Sequence, residues 1–303
     1  MPIHRGTAVL LTIVYVDQFN FPLTEEEISR RLIKVSLSKD QLRENLVWLR
    51  EIGLIESRHQ FWKLNFGSAD WKTRPNREKI SQKKWHEVKD LVRAVDWIPW
   101  IKGIAVTGSL AVNNVTPDGD IDLMIVVASR RLWLSRILVS LSTLWAGKRR
   151  TWYGNEKDSW CFNLWLDDQH LKLPQYKRNL YSAYEVCQAK WVLDKAEIKK
   201  TFYKTNSWVE DFLPHYFFNN YKNSSAISEF KSNKCRPAPV LRFIGRKFLD
   251  LLNLLIFIPQ YCYMYPHMSR EKVSLDSAYF HPRSTKGQIY QRWYNSLQQL
   301  WKK

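Results

Sequence analysis

TGSLAVNNVTPDGDIDLMIVV, residues 107–127, decides how this chain is read. A Gly-Ser pair closes the apolar run IKGIAVT, and ten residues separate it from Asp120. Asp120 and Asp122 then bracket Ile121 at the mouth of a second apolar run. The pattern predicts a strand over 101–107, a turn at Gly108-Ser109, a short helix over 110–114 and a strand over 121–127. A long helix over 130–145 and a third strand over 160–166 follow. Side chains alternate along a strand, so Asp120, Asp122 and Met124 share one face while Ile121, Leu123 and Ile125 take the other. Two carboxylates so placed repel, and one takes up a proton unless a dication lies between them.

Magnesium suits the pair, because one or two carboxylates plus substrate phosphates complete its oxygen shell. Gly108 and Ser109 supply the complementary half. Glycine lets a phosphate approach the backbone, the following helix start offers N–H groups and partial positive charge, and Ser109 adds a hydroxyl. Phosphate on one side and metal on the other are the components of in-line nucleotidyl transfer. A capped turn followed by a solvated acidic loop is the competing reading, and it leaves Asp122 unexplained inside an apolar strand.

Gly-Ser, ten residues, then Asp-x-Asp within strand–helix–strand resembles the nucleotidyltransferase superfamily that includes DNA polymerase β, especially its minimal nucleotidyltransferases. The resemblance spans roughly residues 100–170. It implies that Gly108 and Ser109 hold the triphosphate of an NTP and that Asp120 and Asp122 bind catalytic Mg2+. The family carries a third carboxylate in a later strand, where this chain has Asn163 within WCFNLWLDD. An amide cannot serve as a base. Either Asp167, which alternation puts on the face of Asn163 but about 13 Å along the strand, reaches in, or a base is dispensable, or the site binds a nucleotide and turns over poorly. Asp158 is near but has the opposite parity.

The rest of the chain frames this core. At 303 residues, two or three domains are expected. Residues 1–70 read as three helices and a hairpin, resembling a winged helix-turn-helix; Thr24 and Ser38 are N-caps and Gly53 is a stop. The exposed side of its third helix mixes Lys39, Asp40, Arg43, Glu44 and Arg50, so a regulatory wing and a DNA reader are both open. Residues 71–170 hold a basic amphipathic helix (76–98) and the α/β core with its mixed sheet; residues 171–303 read as mainly helical. The whole is of the α+β class. In 173–195, Tyr176, Tyr181 and Tyr184 alternate with cations, which suits base stacking or plain packing. Residues 219–239 read as a linker, and His281 as structural.

Net charge is +18, which points to a polyanionic partner, nucleic acid through the basic surface included, or else to a solvated basic face. A protein partner, with the chain acting antitoxin-like, is a further reading. Four cysteines without metal or disulfide spacing and no signal peptide suggest the cytoplasm. Residues 248–265 are apolar but interrupted by Asp250, Asn253 and Pro259, so a buried helix is expected there and no membrane span. Arg242, Arg246 and Lys247 before it keep a membrane-surface helix open.

Overall fold

The computed structural model describes residues 4–144, 159–195, 197–222, 239–268, 271–280 and 285–301. The chain opens with α1 (Arg5–Asp17), β1 (Leu23–Thr24), α2 (Glu25–Arg31), α3 (Lys39–Glu51), β2 (Ile55–Arg58) and β3 (Phe61–Leu64). Both expected caps form. Thr24 accepts the Glu27 N–H at 3.2 Å while the Glu27 carboxylate accepts the Thr24 N–H at 2.9 Å, and Ser38 with Gln41 repeats the exchange. Gly53 stops α3 at φ +74°, and Leu54 N–H bonds back to the Leu49 carbonyl at 3.0 Å. Leu42, Leu46 and Leu49 make the buried stripe of α3, and the three short strands pair antiparallel in the order β1-β3-β2.

Arg74 fastens this unit to α4 (Thr73–Val95). Its guanidinium grips Glu27 at 2.5 and 2.9 Å and donates to the Pro22 carbonyl at 2.6 Å. It also lies between the Phe21 and Phe61 rings, 4.4 and 4.6 Å from their centroids. Such a buried pair is retained because every charge is bonded; removal of one member strands the other.

Among the described residues the main sheet has six strands in the order β7-β4-β5-β6-β9-β8. They are β4 (Ile101–Val106), β5 (Ile121–Val127), β6 (Trp160–Asp167), β7 (Lys190–Asp194), β8 (Lys272–Val273) and β9 (Ser277–Tyr279). Among the described residues only β5 and β6 run parallel, with α6 (Leu132–Leu144) between them in the chain; the other pairs are antiparallel. Between β4 and β5 lies α5 (Gly108–Ala111), a single turn.

Two cores lie against the sheet's two faces. Ile104, Val106, Ile121, Leu123, Ile125 and Val127 pack with Val88, Leu91, Val92 and Val95 of α4 and Leu132, Trp133 and Val139 of α6. Ala105, Met124 and Val126 pack instead with α7 (Leu180–Gln188), α8 (Ile198–Thr205) and α9 (Pro214–Lys222), in a core continuous with that of the N-terminal unit. The alternation expected along β5 is therefore the division between the cores.

Among the described residues of 171–303, three short strands depart from the helical reading. Residues 190–194, expected to continue a helix, form β7, because Trp191 and Leu193 meet β4 across a ladder. Between α10 (Pro239–Met264) and α11 (Thr285–Trp301), β8 and β9 extend the sheet beside β6. Pro259 does not interrupt α10, and α10 is not a buried helix: the most apolar stretch of Gly245–His267 is 11% buried. Most of the expected linker (223–238), His281, Asp158 and Trp145 lie outside the described residues.

Candidate active site

Gly108 is where sequence and geometry meet most tightly. Its φ is +63°, a conformation that favours glycine, and a Cβ built there would stand 2.3 Å from Asp122 Oδ2. Any side chain at 108 would collide with the Asp122 carboxylate. The two are also tied through the backbone, since Thr107 N–H donates to the Asp122 carbonyl at 2.9 Å. The Gly-Ser turn and the second aspartate are thus one site. Because α5 is a single turn, its contribution to an anion is its first-turn N–H groups rather than a developed dipole.

Both aspartates sit half-buried at the start of β5 and are held by β6. Asp120 Oδ1 accepts the Ser159 hydroxyl at 2.9 Å and the Ser159 N–H at 3.2 Å. Asp122 Oδ1 accepts the side-chain amide of Asn163. The Cys161 thiol donates to the amide oxygen of Asn163 at 2.7 Å, so Asn163 is held from both ends. Asn163 therefore occupies the expected third position, as an amide that bonds the second aspartate.

Asp167 does not reach this site. The β5–β6 register shifts between Asp122 and Met124: Asp122 pairs with Cys161, but Met124 pairs with Leu164. One extra β6 residue is accommodated there, which reverses parity beyond it. Trp165 accordingly packs in the α4–α6 core, not on the side of Asn163. Asp167 is fully buried at the far end of β6, where its Oδ1 accepts the Gln169 and His170 N–H groups at 2.9 Å and meets His170 Nδ1 at 2.7 Å. Asp167, His170 and Asp276 form, among the described residues, a group of three whose ligand atoms lie within 4.8 Å of one another. The His170–Asp167 bond raises the imidazole's pKa, so the two form an ion pair within that cluster.

A third carboxylate near Asp122 comes instead from Glu185, on α7. Burial, and then the charge of Asp122, pushes its carboxyl up to about 7. Tyr181, one turn earlier, is raised by the charge of Glu185, by burial and by Asp122. Sequence reasoning missed Glu185, although a signal existed: a lone acid in LYSAYEVC breaks an apolar helix much as Asp122 breaks an apolar strand. Of the other tyrosines, Tyr184 is packing, stacked 4.5 Å from Tyr15 with its hydroxyl on the Arg31 carbonyl. Tyr176 is exposed beside Lys272.

Positive charge gathers at the same end of the sheet. Lys190 pairs with Val106, the last residue of β4 before Thr107-Gly108. Burial, and then Arg30, Arg31 and Lys199, lowers its pKa. A magnesium ion fits the donor set: hard carboxylate oxygens from Asp120 and Asp122 at the start of β5.

No curated protein and no solved structure matches the chain. The family model described as a nucleotidyltransferase domain matches residues 82–212, which hold the Gly-Ser turn, Asp120, Asp122, Asn163 and Glu185. That match supports assigning this part of the chain to the nucleotidyltransferase superfamily.

Proposed function

We propose that the protein is a magnesium-dependent nucleotidyltransferase that moves a nucleoside monophosphate from an NTP to a hydroxyl acceptor and releases pyrophosphate. The observation that carries this reading is the contact of Gly108 with Asp122, which joins a phosphate-accepting turn to a metal-binding acid in one cleft. Gly108 and Ser109 donate to the triphosphate, while Asp120 and Asp122 hold Mg2+. The ion, when bound, neutralises charge on the phosphates and orients them for in-line attack. Lys190 adds positive charge beside the turn.

Glu185 takes the role that the strand acid usually has. With its pKa near 7 it is matched to accept a proton at neutral pH. The acceptor oxygen bonds the α-phosphorus, its proton passes to Glu185, and the bond from the α-phosphorus to the bridging oxygen breaks to leave pyrophosphate. Asn163 steadies Asp122 without competing for that proton.

Metal-dependent pyrophosphate release from each NTP tests the reading. Release by the wild type and loss in Asp120→Ala and Asp122→Ala supports it, and equal activity in those variants removes it.

One observation favours a second reading. The amide of Asn163 already occupies an oxygen of Asp122, which suits a catalytically impaired member that senses a nucleotide and acts as a DNA-binding or antitoxin-like regulator. Three helices with a small antiparallel sheet, whose first strand lies between α1 and α2 and whose hairpin follows α3, support taking residues 1–70 as a winged helix. Against a DNA-reading face, Arg43 of α3 is paired with Glu25 at 3.2 Å. Salt-dependent duplex binding without NTP turnover would select this reading. Cys161, Cys187 and Cys262 lie in no disulfide, which suits a cytoplasmic setting.

A further inference from the structure

The outward face of α10 is apolar along its length. Phe248, Leu251, Leu255 and Ile258 recur at intervals of three and four, and all are more than half exposed. Cys262 and Tyr265 continue the stripe. From Phe248 to Cys262 it runs about 20 Å. A patch of this kind on a folded chain marks a surface that something covers.

The inward face shows how the helix is held. Asn253 Oδ1 accepts the Trp133 and Leu134 N–H groups at 3.0 and 3.2 Å, capping the first turn of α6. Asp250 is paired with Arg131 at 2.5 Å and with Arg130 at 3.3 Å. Gln260 accepts from Arg136 at 2.6 Å. By length and composition Gly245–His267 could cross a bilayer, but one side of α10 is bonded to the domain through polar groups, which suits a helix lying on a surface.

We propose that this face docks α10 in the plane of an anionic lipid surface. Charge complementarity selects the occupant. The exposed charges at the upstream end of the stripe are Arg246 and Lys247, and the acid on the helix, Asp250, is turned inward to two arginines. Two exposed cations at the end of an apolar stripe match anionic headgroups above acyl chains. A second copy of the chain would bring one +18 surface against another. Met264, Ile256 and Phe257 of α10 join the α4–α6 core, so docking leaves Met124's face of the sheet, with Asp122 and Glu185, turned from the lipid.

Co-sedimentation of the full chain with vesicles tests the proposal. Binding is expected to vesicles of phosphatidylcholine and phosphatidylglycerol, to weaken with added salt, and to be absent with phosphatidylcholine alone. Arg246→Gln/Lys247→Gln should weaken it about thirtyfold. Leu251→Glu/Leu255→Glu should abolish it with an unchanged melting midpoint; Leu251→Ser/Leu255→Ser, expected to weaken binding strongly, replaces that pair if the glutamates unfold the chain. No binding to anionic vesicles overturns the proposal, as does equal binding by the leucine variants. A dimer that those substitutions dissociate, with no vesicle binding by the wild type, assigns the face to a second copy and also overturns it.

Discussion

Asn163 and Asp167 stand four residues apart on one strand, and acids gather around each in opposite circumstances. At the Asp167 end, backbone N–H groups and the His170 imidazole meet the buried carboxylate. At the Asn163 end, a neutral amide bonds Asp122, and the charge of Asp122 is felt by Glu185 and Tyr181. Asp167 is fully buried among the N–H groups of a turn and an imidazole, whereas Asp122 is half-buried against the Gly108 turn. Acidity alone does not distinguish them. Their surroundings do.

Substitutions at the two ends should separate sharply. Asp122→Ala and Asp120→Ala are expected to lower pyrophosphate release by about a thousandfold or more while the fold survives. Glu185→Gln should lower the rate about a hundredfold with nucleotide binding retained, which a rate and affinity comparison checks. Asp167→Ala should leave the rate within a fewfold of wild type but cost about 1–3 kcal/mol in denaturant unfolding, because the N–H groups of the turn lose their acceptor. Full activity in Asp122→Ala with loss in Asp167→Ala would reverse the assignment.

The pH dependence of the metal-free protein gives a smaller and finer test. Glu185 binds its proton more tightly folded than free, so its stabilising contribution is complete below its ordinary value of 4.5. That contribution is lost as pH rises to about 7. Glu185→Gln should flatten this slope by on the order of 1–2 kcal/mol, discounted for partial solvent access. His170 is also raised, so its contribution is present below the free imidazole value and lost as pH rises through its folded one. Asp167→Ala should remove that second slope and leave the first.

Much of this contrast was legible in the chain, and the rest has a physical reason for being hidden. Alternation through Asp122, Leu123 and Met124 placed the strand and its two faces, because period-two patterning follows directly from burial. Thr24, Ser38 and Gly53 marked helix ends through local chemistry that needs no tertiary partner. The face of Asp167, offered as one of three alternatives, was misassigned because the register shift after Asp122 reverses parity, and a bulge leaves no mark in residue types. Glu185 was missed because a helix far along the chain brings it to Asp122, and such proximity is set by packing. The exposed stripe of α10 was read as core because apolar composition tells how much a helix would bury, not whether a partner is present.

Manganese binding, followed by electron paramagnetic resonance as the full chain is titrated in the presence of ATP, bears most directly on the two ends of β6. Nucleotide-dependent binding that disappears in Asp122→Ala and persists in Asp167→Ala is the expected result. Binding that persists in Asp122→Ala and vanishes in Asp167→Ala would contradict the account.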